Sequence, residues 1–183
     1  MNLIKTKIRD LIIMEPRVFT DDRGYFFESY SKKPLDNLTG KEYNFIQDNE
    51  SKSSYGVIRG LHYQLAPYSQ AKLVRVLEGR VYDVAVDLRK NSPTFGEWVG
   101  VELSGDNKRQ FLIPKGFAHG FSVLSETAVF AYKCDEYYHP EAEAGIIYND
   151  PSLNIDWKIP EKDEKFSEKD KLLPELKNAK MNF

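Results

Sequence analysis

The sequence predicts an all-β sandwich or barrel with short helices at its C-terminal end. Three observations carry this expectation. Short β-rich runs recur at regular spacing. Turn signals separate them. No long amphipathic helix interrupts residues 44–150, which removes a fold built from strand–helix–strand units. With 183 residues the chain reads as one domain, residues 1–183.

The strands follow in order. Residues 11–15 form the first run. The turn Asp21-Asp22-Arg23-Gly24 leads into 25–30, and 44–47 follows. Residues 57–64 and 72–77 come next, and Glu78-Gly79 turns the chain into 80–88. That run alternates well: Tyr82, Val84, Val86 and Leu88 share one face, and Val81, Asp83, Ala85 and Asp87 the other. Asn91-Ser92-Pro93 precedes 97–103, and Ser104-Gly105-Asp106-Asn107 precedes 110–113. Pro114-Lys115-Gly116 separates that run from 121–124, and 129–133 closes the series. A lysine- and glutamate-rich C-terminal helical segment is expected at about 161–180, where Ser167 before Glu168-Lys169-Asp170 reads as an N-cap.

Composition narrows the function. Lys+Arg is 26 against Asp+Glu 28, a net charge of -2, so no global basic field exists to attract nucleic acid. An anionic ligand would need a local cluster of cations. The single cysteine, Cys134, rules out an internal disulfide and fits a reducing compartment. No apolar stretch approaches the ~20 residues of a membrane span. The N-terminus lacks an apolar signal core, so the expected location is cytoplasmic, with no membrane partner.

The strongest local signal runs from Gly56 to Gly79, with His62, Gln64 and Lys72 between them. A second is the spacing Pro114, Gly116, His119. Together they resemble the two motifs of the cupin superfamily, but the metal ligands are broken. Gln64 stands where a second histidine belongs, and Lys72 where a glutamate belongs. A lysine ammonium repels a divalent ion, and two histidines with a glutamine make a poor set for zinc or iron. The expectation is therefore no metal and no cofactor.

Each candidate side chain also has a plainer reading. Lys72 shares strand parity with Val74 and Val76, which leaves it either pointing inward or at a strand end with its head in water. His62 and His119 could be hydrogen-bonded interior histidines, and Tyr132 a core tyrosine with its hydroxyl satisfied. Asp170 could simply aid the helix dipole. His139, before Pro140, reads as an exposed loop residue. Arg23 could be salt-bridged within its turn. Arg59 sits inside a β run, an unusual place for a fully solvated side chain, and a guanidinium fork suits a phosphate or diphosphate. Neither a P-loop nor a Gly-x-Gly-x-x-Gly turn is present.

Taken together, several segments resemble the dTDP-4-dehydrorhamnose 3,5-epimerase family. They are Asp21 to Phe26, Gln47-Asp48-Asn49, Gly56 to Gln64, Lys72 to Val76, Asp83 to Arg89, Thr94 to Trp98, Ile113 to Phe121, Tyr132-Lys133 and Ser167 to Asp170. The likeness spans about residues 8–176. Two positions depart from it: Tyr148, where the family usually has tryptophan, and Phe166, usually leucine.

The resemblance implies a cupin jelly roll, a homodimer without cofactor, and a dTDP-sugar substrate epimerised at C3 and C5 through enolates. It implies that His62 is the general base, hydrogen-bonded by Asp170, and that Tyr132 is the acid on the opposite face of the sugar. Lys72 would stabilise the enolate, and Arg23 and Arg59 would hold the diphosphate. Glu28, Gln47 and Asn49 would contact the nucleotide, some of these contacts coming from the partner subunit, and His119 would lie near the sugar. One conflict follows: regular alternation sends Arg59 and His62 to opposite faces. A bulge at Gly60 would resolve it. Three rivals stand beside this reading: a single-site epimerase or keto-isomerase, a non-catalytic nucleotide-sugar-binding cupin, and a metal-dependent oxygenase, against which Gln64 and Lys72 argue.

Overall fold

The computed structural model describes residues 1–183. In chain order the elements are β1 (Asn2–Lys5), β2 (Ile12–Glu15), β3 (Phe19–Asp21), β4 (Gly24–Phe26), α1 (Lys32–Thr39), β5 (Gln47–Ser54) and β6 (Ile58–Gln64). They continue with β7 (Lys72–Glu78), β8 (Arg80–Asp87), β9 (Trp98–Ser104), β10 (Gln110–Ile113), β11 (Phe117–Val123), β12 (Thr127–Cys134), β13 (Glu143–Gly145) and α2 (Glu168–Lys171).

Two antiparallel sheets form the body. One has six strands in the order β1-β2-β10-β7-β12-β5, and the other five in the order β13-β6-β11-β8-β9. This is the expected all-β sandwich. Inward side chains of β7, β10 and β12, among them Val74, Val76, Phe111 and Phe130, pack against Val81, Ala85, Val101 and Phe121 of the facing sheet. Alternation along each strand puts these residues between the layers and sends the intervening ones outward.

Outward does not mean wet in the five-stranded sheet. Val84, Val86 and Leu88 are buried on its outer face beneath Leu153, Trp157 and other C-terminal residues. That second cover is why 80–88 carries apolar residues on both faces. The outer face of the six-stranded sheet is covered more locally, by Leu35 of α1 and Tyr43 over Met14, Leu73 and Leu112. No helix is long and apolar enough to cross a membrane.

Several boundaries differ from expectation. The strand expected at 44–47 begins at Gln47 and runs to Ser54. Its eight residues are polar and contain no β-branched or aromatic side chain, so propensity gave no signal. Pairing with β12 over its whole length creates it. The strand expected at 25–30 stops at Phe26, and β11 starts four residues earlier than expected, at Phe117 rather than 121. The helical segment at 161–180 resolves into 3-10 turns at Glu161–Asp163 and Leu176–Asn178 flanking the four-residue α2. Ser167 caps α2 as expected, its hydroxyl accepting from the Asp170 amide.

The Gly60 irregularity is present. His119 pairs with His62 but Phe121 pairs with Arg59, so two steps on β11 match three on β6. Gly60 has φ +122, and a Cβ there would lie 2.6 Å from the Cα of Gly120. Only glycine fits that combination of backbone angle and close approach. The extra residue resets the alternation, and Arg59 and His62 line one cavity.

Candidate active site

The cavity of about 550 Å³ lies between the sheets and is closed on one side by the C-terminal segment. Each sheet contributes its own chemistry. From the five-stranded sheet come Arg59 and His62 of β6, His119 of β11 and Glu143 of β13. From the six-stranded sheet come Lys72 of β7, Asn49 of β5 and Tyr132 of β12. Lys165 and Asp170 arrive on the C-terminal segment.

Asp170 is brought to His62 across 108 positions of sequence, and His62 Nε2 donates to its Oδ1 at 2.6 Å. Three ties make the approach possible. The chain after residue 160 pairs with the start of β6 through Lys165, whose amide donates to the Gly56 carbonyl at 2.8 Å. The Ser167 cap starts α2, and the Ile147 amide donates to the carbonyl of Pro174 beyond it. The carboxylate is only 6% exposed. Burial works against its ionised form. The bond and charge of His62 together with Ser167 overcome this and hold it below the ordinary aspartate range. With Nε2–H given to Asp170, the imidazole keeps Nδ1 as its basic nitrogen.

Lys72 points inward, which settles the two readings that parity left open. It is half-buried, lines the cavity, and sets its Nζ 5.7 Å from the centroid of the Tyr132 ring. Desolvation draws its ammonium below the ordinary lysine range. Desolvation also raises the Tyr132 phenol, so Tyr132 is neutral and able to donate at neutral pH. His119 is buried, as its plainer reading held, and still faces the cavity. Its Nε2 donates to both oxygens of fully buried Asp83, at 2.9 and 3.0 Å. Burial pushes the Asp83 carboxyl upward, against the pull of His119 and Lys72.

The cavity favours an anion near its C-terminal wall. Arg59 donates its Nε to the Ser53 hydroxyl, and Lys165 its Nζ to the Tyr55 carbonyl. Neither neutral partner cancels the charge. The two departures Tyr148 and Phe166 stack on each other with ring centroids 3.9 Å apart, and Phe166 lines the cavity. A smaller ring at one position meets a larger side chain at the other, so the pair reads as one compensated change.

The nucleotide-contacting candidates divide. Asn49 lines the cavity, while Gln47 stands behind it and donates its amide to Asn49 Oδ1 at 3.0 Å. Arg23 and Glu28 are not in the cavity. Arg23 lies on the β3–β4 hairpin, 89% exposed and paired with Asp21, and Glu28 is exposed just beyond. His139 corrects its expectation: it is half-buried, stacked on Tyr68 with ring centroids 3.8 Å apart and bonded to Glu141. Glu143, Lys165, Lys169 and Asp83 escaped the sequence reading. Asp83 alone had a signal, a carboxylate alternating with Val81 and Ala85 on an inward face.

The donor set does not fit a divalent cation. Gln64 gives its amide nitrogen to the carbonyls of Tyr68 and Tyr137, and its oxygen accepts from the His139 amide. Lys72 occupies the next ligand position with a cation. Two histidines remain, each already bonded to an aspartate.

Known proteins resemble this chain over most of its length. A family model described as dTDP-4-dehydrorhamnose 3,5-epimerase matches residues 5–178. A relative of that name from Shigella flexneri is 57% identical over 159 residues, 87% of this chain and 88% of its own. The crystal structure of the dTDP-4-dehydrorhamnose 3,5-epimerase from Elizabethkingia anophelis superposes with a TM-score of 0.94 at 60% identity, covering 97% of both chains. The dTDP-6-deoxy-D-glucose-3,5-epimerase from Legionella pneumophila, solved in complex with dTDP-4-keto-L-rhamnose, superposes at 0.93 with 56% identity over 97% of this chain and 93% of that one.

Proposed function

The chain belongs to the dTDP-4-dehydrorhamnose 3,5-epimerase family, and on that premise we propose how its residues carry the reaction. The enzyme is an isomerase. It epimerises C3 and C5 of dTDP-4-dehydro-6-deoxy-D-glucose, giving dTDP-4-dehydro-L-rhamnose in dTDP-L-rhamnose biosynthesis. The C4 ketone makes the protons at C3 and C5 acidic, and loss of either gives an enolate. Inversion requires that the proton return from the other face.

His62 removes the proton through Nδ1, and Asp170 holds the imidazole in that tautomer and stabilises the imidazolium. Tyr132 returns a proton from across the cavity, and Lys72 beside it meets the developing oxyanion. The observation that carries this reading is the placement of His62 on one sheet and Tyr132 with Lys72 on the facing one. A sugar ring between them has a base on one face and an acid on the other. Arg59 binds the diphosphate, Asn49 the nucleoside, and His119, oriented by Asp83, a sugar oxygen. Only protons move, so no cofactor is required. With one cysteine and no disulfide, the enzyme suits the reducing cytoplasm.

The test is isotope exchange. Incubated with dTDP-4-keto-6-deoxy-D-glucose in D2O without added metal, the enzyme is expected to erase the NMR signals of both H3 and H5. Tyr132→Phe should retain exchange but slow net inversion by about 10²–10⁴-fold. Exchange at one position alone would make this a single-site epimerase. Bound nucleotide with no exchange at all would make it a binding module.

The unit is a homodimer whose subunits share their sites. Phe19, Tyr25 and Phe26 of the β3–β4 hairpin are each more than half exposed, an apolar surface on a two-stranded ribbon that no other strand of the chain extends. Strand β5, which carries Asn49, pairs only with β12 and leaves its other edge open. A hairpin laid across the second copy would bring Arg23 and Glu28 of the partner subunit to the cavity. Mixing inactive His62→Ala and Arg23→Ala chains after unfolding and refolding together should then restore about a quarter of wild-type activity, because half the dimers carry one intact site. No recovery would assign Arg23 to its own chain's chemistry or to none.

A further inference from the structure

One buried carboxylate outside the cavity takes no part in the reaction as described. Asp150 lies in the loop that follows β13 and is 2% exposed. Its Oδ1 accepts from the Ser152 amide at 2.8 Å, from the Leu153 amide at 3.0 Å and from the Ser152 hydroxyl. Its Oδ2 accepts from the Leu176 amide at 2.6 Å, 26 positions away. Burial opposes its ionised form, but these donors hold it below the ordinary aspartate range. Every partner is a donor, so an amide side chain cannot take its place. Whichever way an asparagine turns, its NH2 group meets a backbone N–H at one end or the other.

The loop that Asp150 orders, residues 146–153, holds the neighbours of both His62 and Asp170. On one side it is bonded to β6 beside the base. Leu61, which directly precedes His62, donates its amide to the Ile146 carbonyl at 3.1 Å and accepts from the Ile146 amide at 3.0 Å. On the other side the loop grips the C-terminal segment at both ends of α2. Before the helix, Tyr148 stacks on Phe166. Beyond it, the Ile147 amide donates to the Pro174 carbonyl at 2.9 Å, and Asp150 holds Leu176. Helix α2 has four residues, too few to be stable alone, and takes its position from such ties. Of these ties only the one from Asp150 is made by a charged group, and a hydrogen bond to a charged acceptor is the stronger kind.

We propose that Asp150 is a positioning residue: by fastening the segment after α2 to the loop bonded to Leu61, it keeps the Asp170 carboxylate on the His62 imidazole. The inference rests on the reading of His62 as base with Asp170 as its partner. Asp150 itself lies outside the cavity, so its effect on the reaction passes through Asp170. Small misplacements of an acid–base group are costly to rate.

Asp150→Asn is expected to lower kcat about 10–100-fold with KM and dTDP affinity nearly unchanged. A role in stability alone would lower the melting temperature and leave the kcat of the folded enzyme as it is. In an Asp170→Asn background the same substitution should cause no further loss of kcat, because the contact it supports is already gone. Leu176→Pro removes the same bond from the donor's side, should behave like Asp150→Asn, and serves if that variant does not fold. Leu176 opens a 3-10 turn and Glu175 before it is extended, at φ -66 and ψ 157, and proline suits both conditions. Wild-type kcat in either folded variant beside a slow Asp170→Asn would overturn the inference alone. So would equal losses in both backgrounds, or a change confined to KM. Full activity of Asp170→Asn would overturn the dyad reading, and this inference with it.

Discussion

Replacing His62 by alanine is expected to lower turnover by about 10²–10⁴-fold while dTDP still binds. The size follows from the lack of a substitute. His119 is the only other histidine in the cavity, and its Nε2 is spent on Asp83. Glu143 is tied to Lys169 and Tyr138. Asp170 is too deeply buried, at 6% exposure, to reach the sugar itself. Binding survives because the cations that suit a diphosphate, Arg59 and Lys165, hold their positions through Ser53 and Tyr55 and not through His62. Calorimetry with dTDP and NMR turnover on the same sample separate the two effects. Removing the imidazole also leaves the Asp170 carboxylate buried without its partner. His62→Asn, which can still donate a hydrogen bond, is the control for stability. Wild-type-like rates in His62→Ala would refute the assignment of the base.

The sites that were legible in the sequence share one property: their neighbours are local. The spacing from Gly56 through His62 to Lys72 and Gly79 lies on two successive strands, so it could be read as one unit. Gly60 was legible because two residues expected in one site, Arg59 and His62, made incompatible demands on one strand, and glycine is the residue that absorbs an extra position. Distance hid the rest. Nothing near Glu143 in sequence announces Lys169, 26 positions on. The polar strand β5 exists only because β12 pairs with it. The resemblance implies ligand contacts for Arg23 and Glu28, but both lie outside the cavity of their own chain, which no reading of strand parity could reveal. Tyr148 and Phe166 looked like two unrelated departures from the family until the fold stacked them.

Lys72→Met should separate activity from stability. Turnover is expected to fall about 10²–10³-fold, the loss associated with removing a donor from a developing oxyanion. The melting temperature should hold or rise. Lys72 has no carboxylate within salt-bridge range, and desolvation lowers its proton affinity in the folded state. The sign follows from that direction. A lysine that binds its proton less tightly when folded weakens the fold wherever the unfolded chain keeps it charged. The penalty is complete below the folded value, shrinks between the folded and unfolded values, and is gone above the unfolded one, ~10.4. At neutral pH, below the unfolded value, the wild type therefore carries a penalty, and methionine, of similar length and uncharged, removes it. Val74 and Val76 on the same face already pack in the core, so the substitution extends an apolar stripe. Paired thermal melts and turnover assays at neutral pH check both halves. A variant that loses stability together with activity would mean that Lys72 is held by a native ion pair, and its presence would need no catalytic reason. A slow enzyme with an equal or higher melting temperature would mean that the fold tolerates a destabilising cation because the enolate requires it.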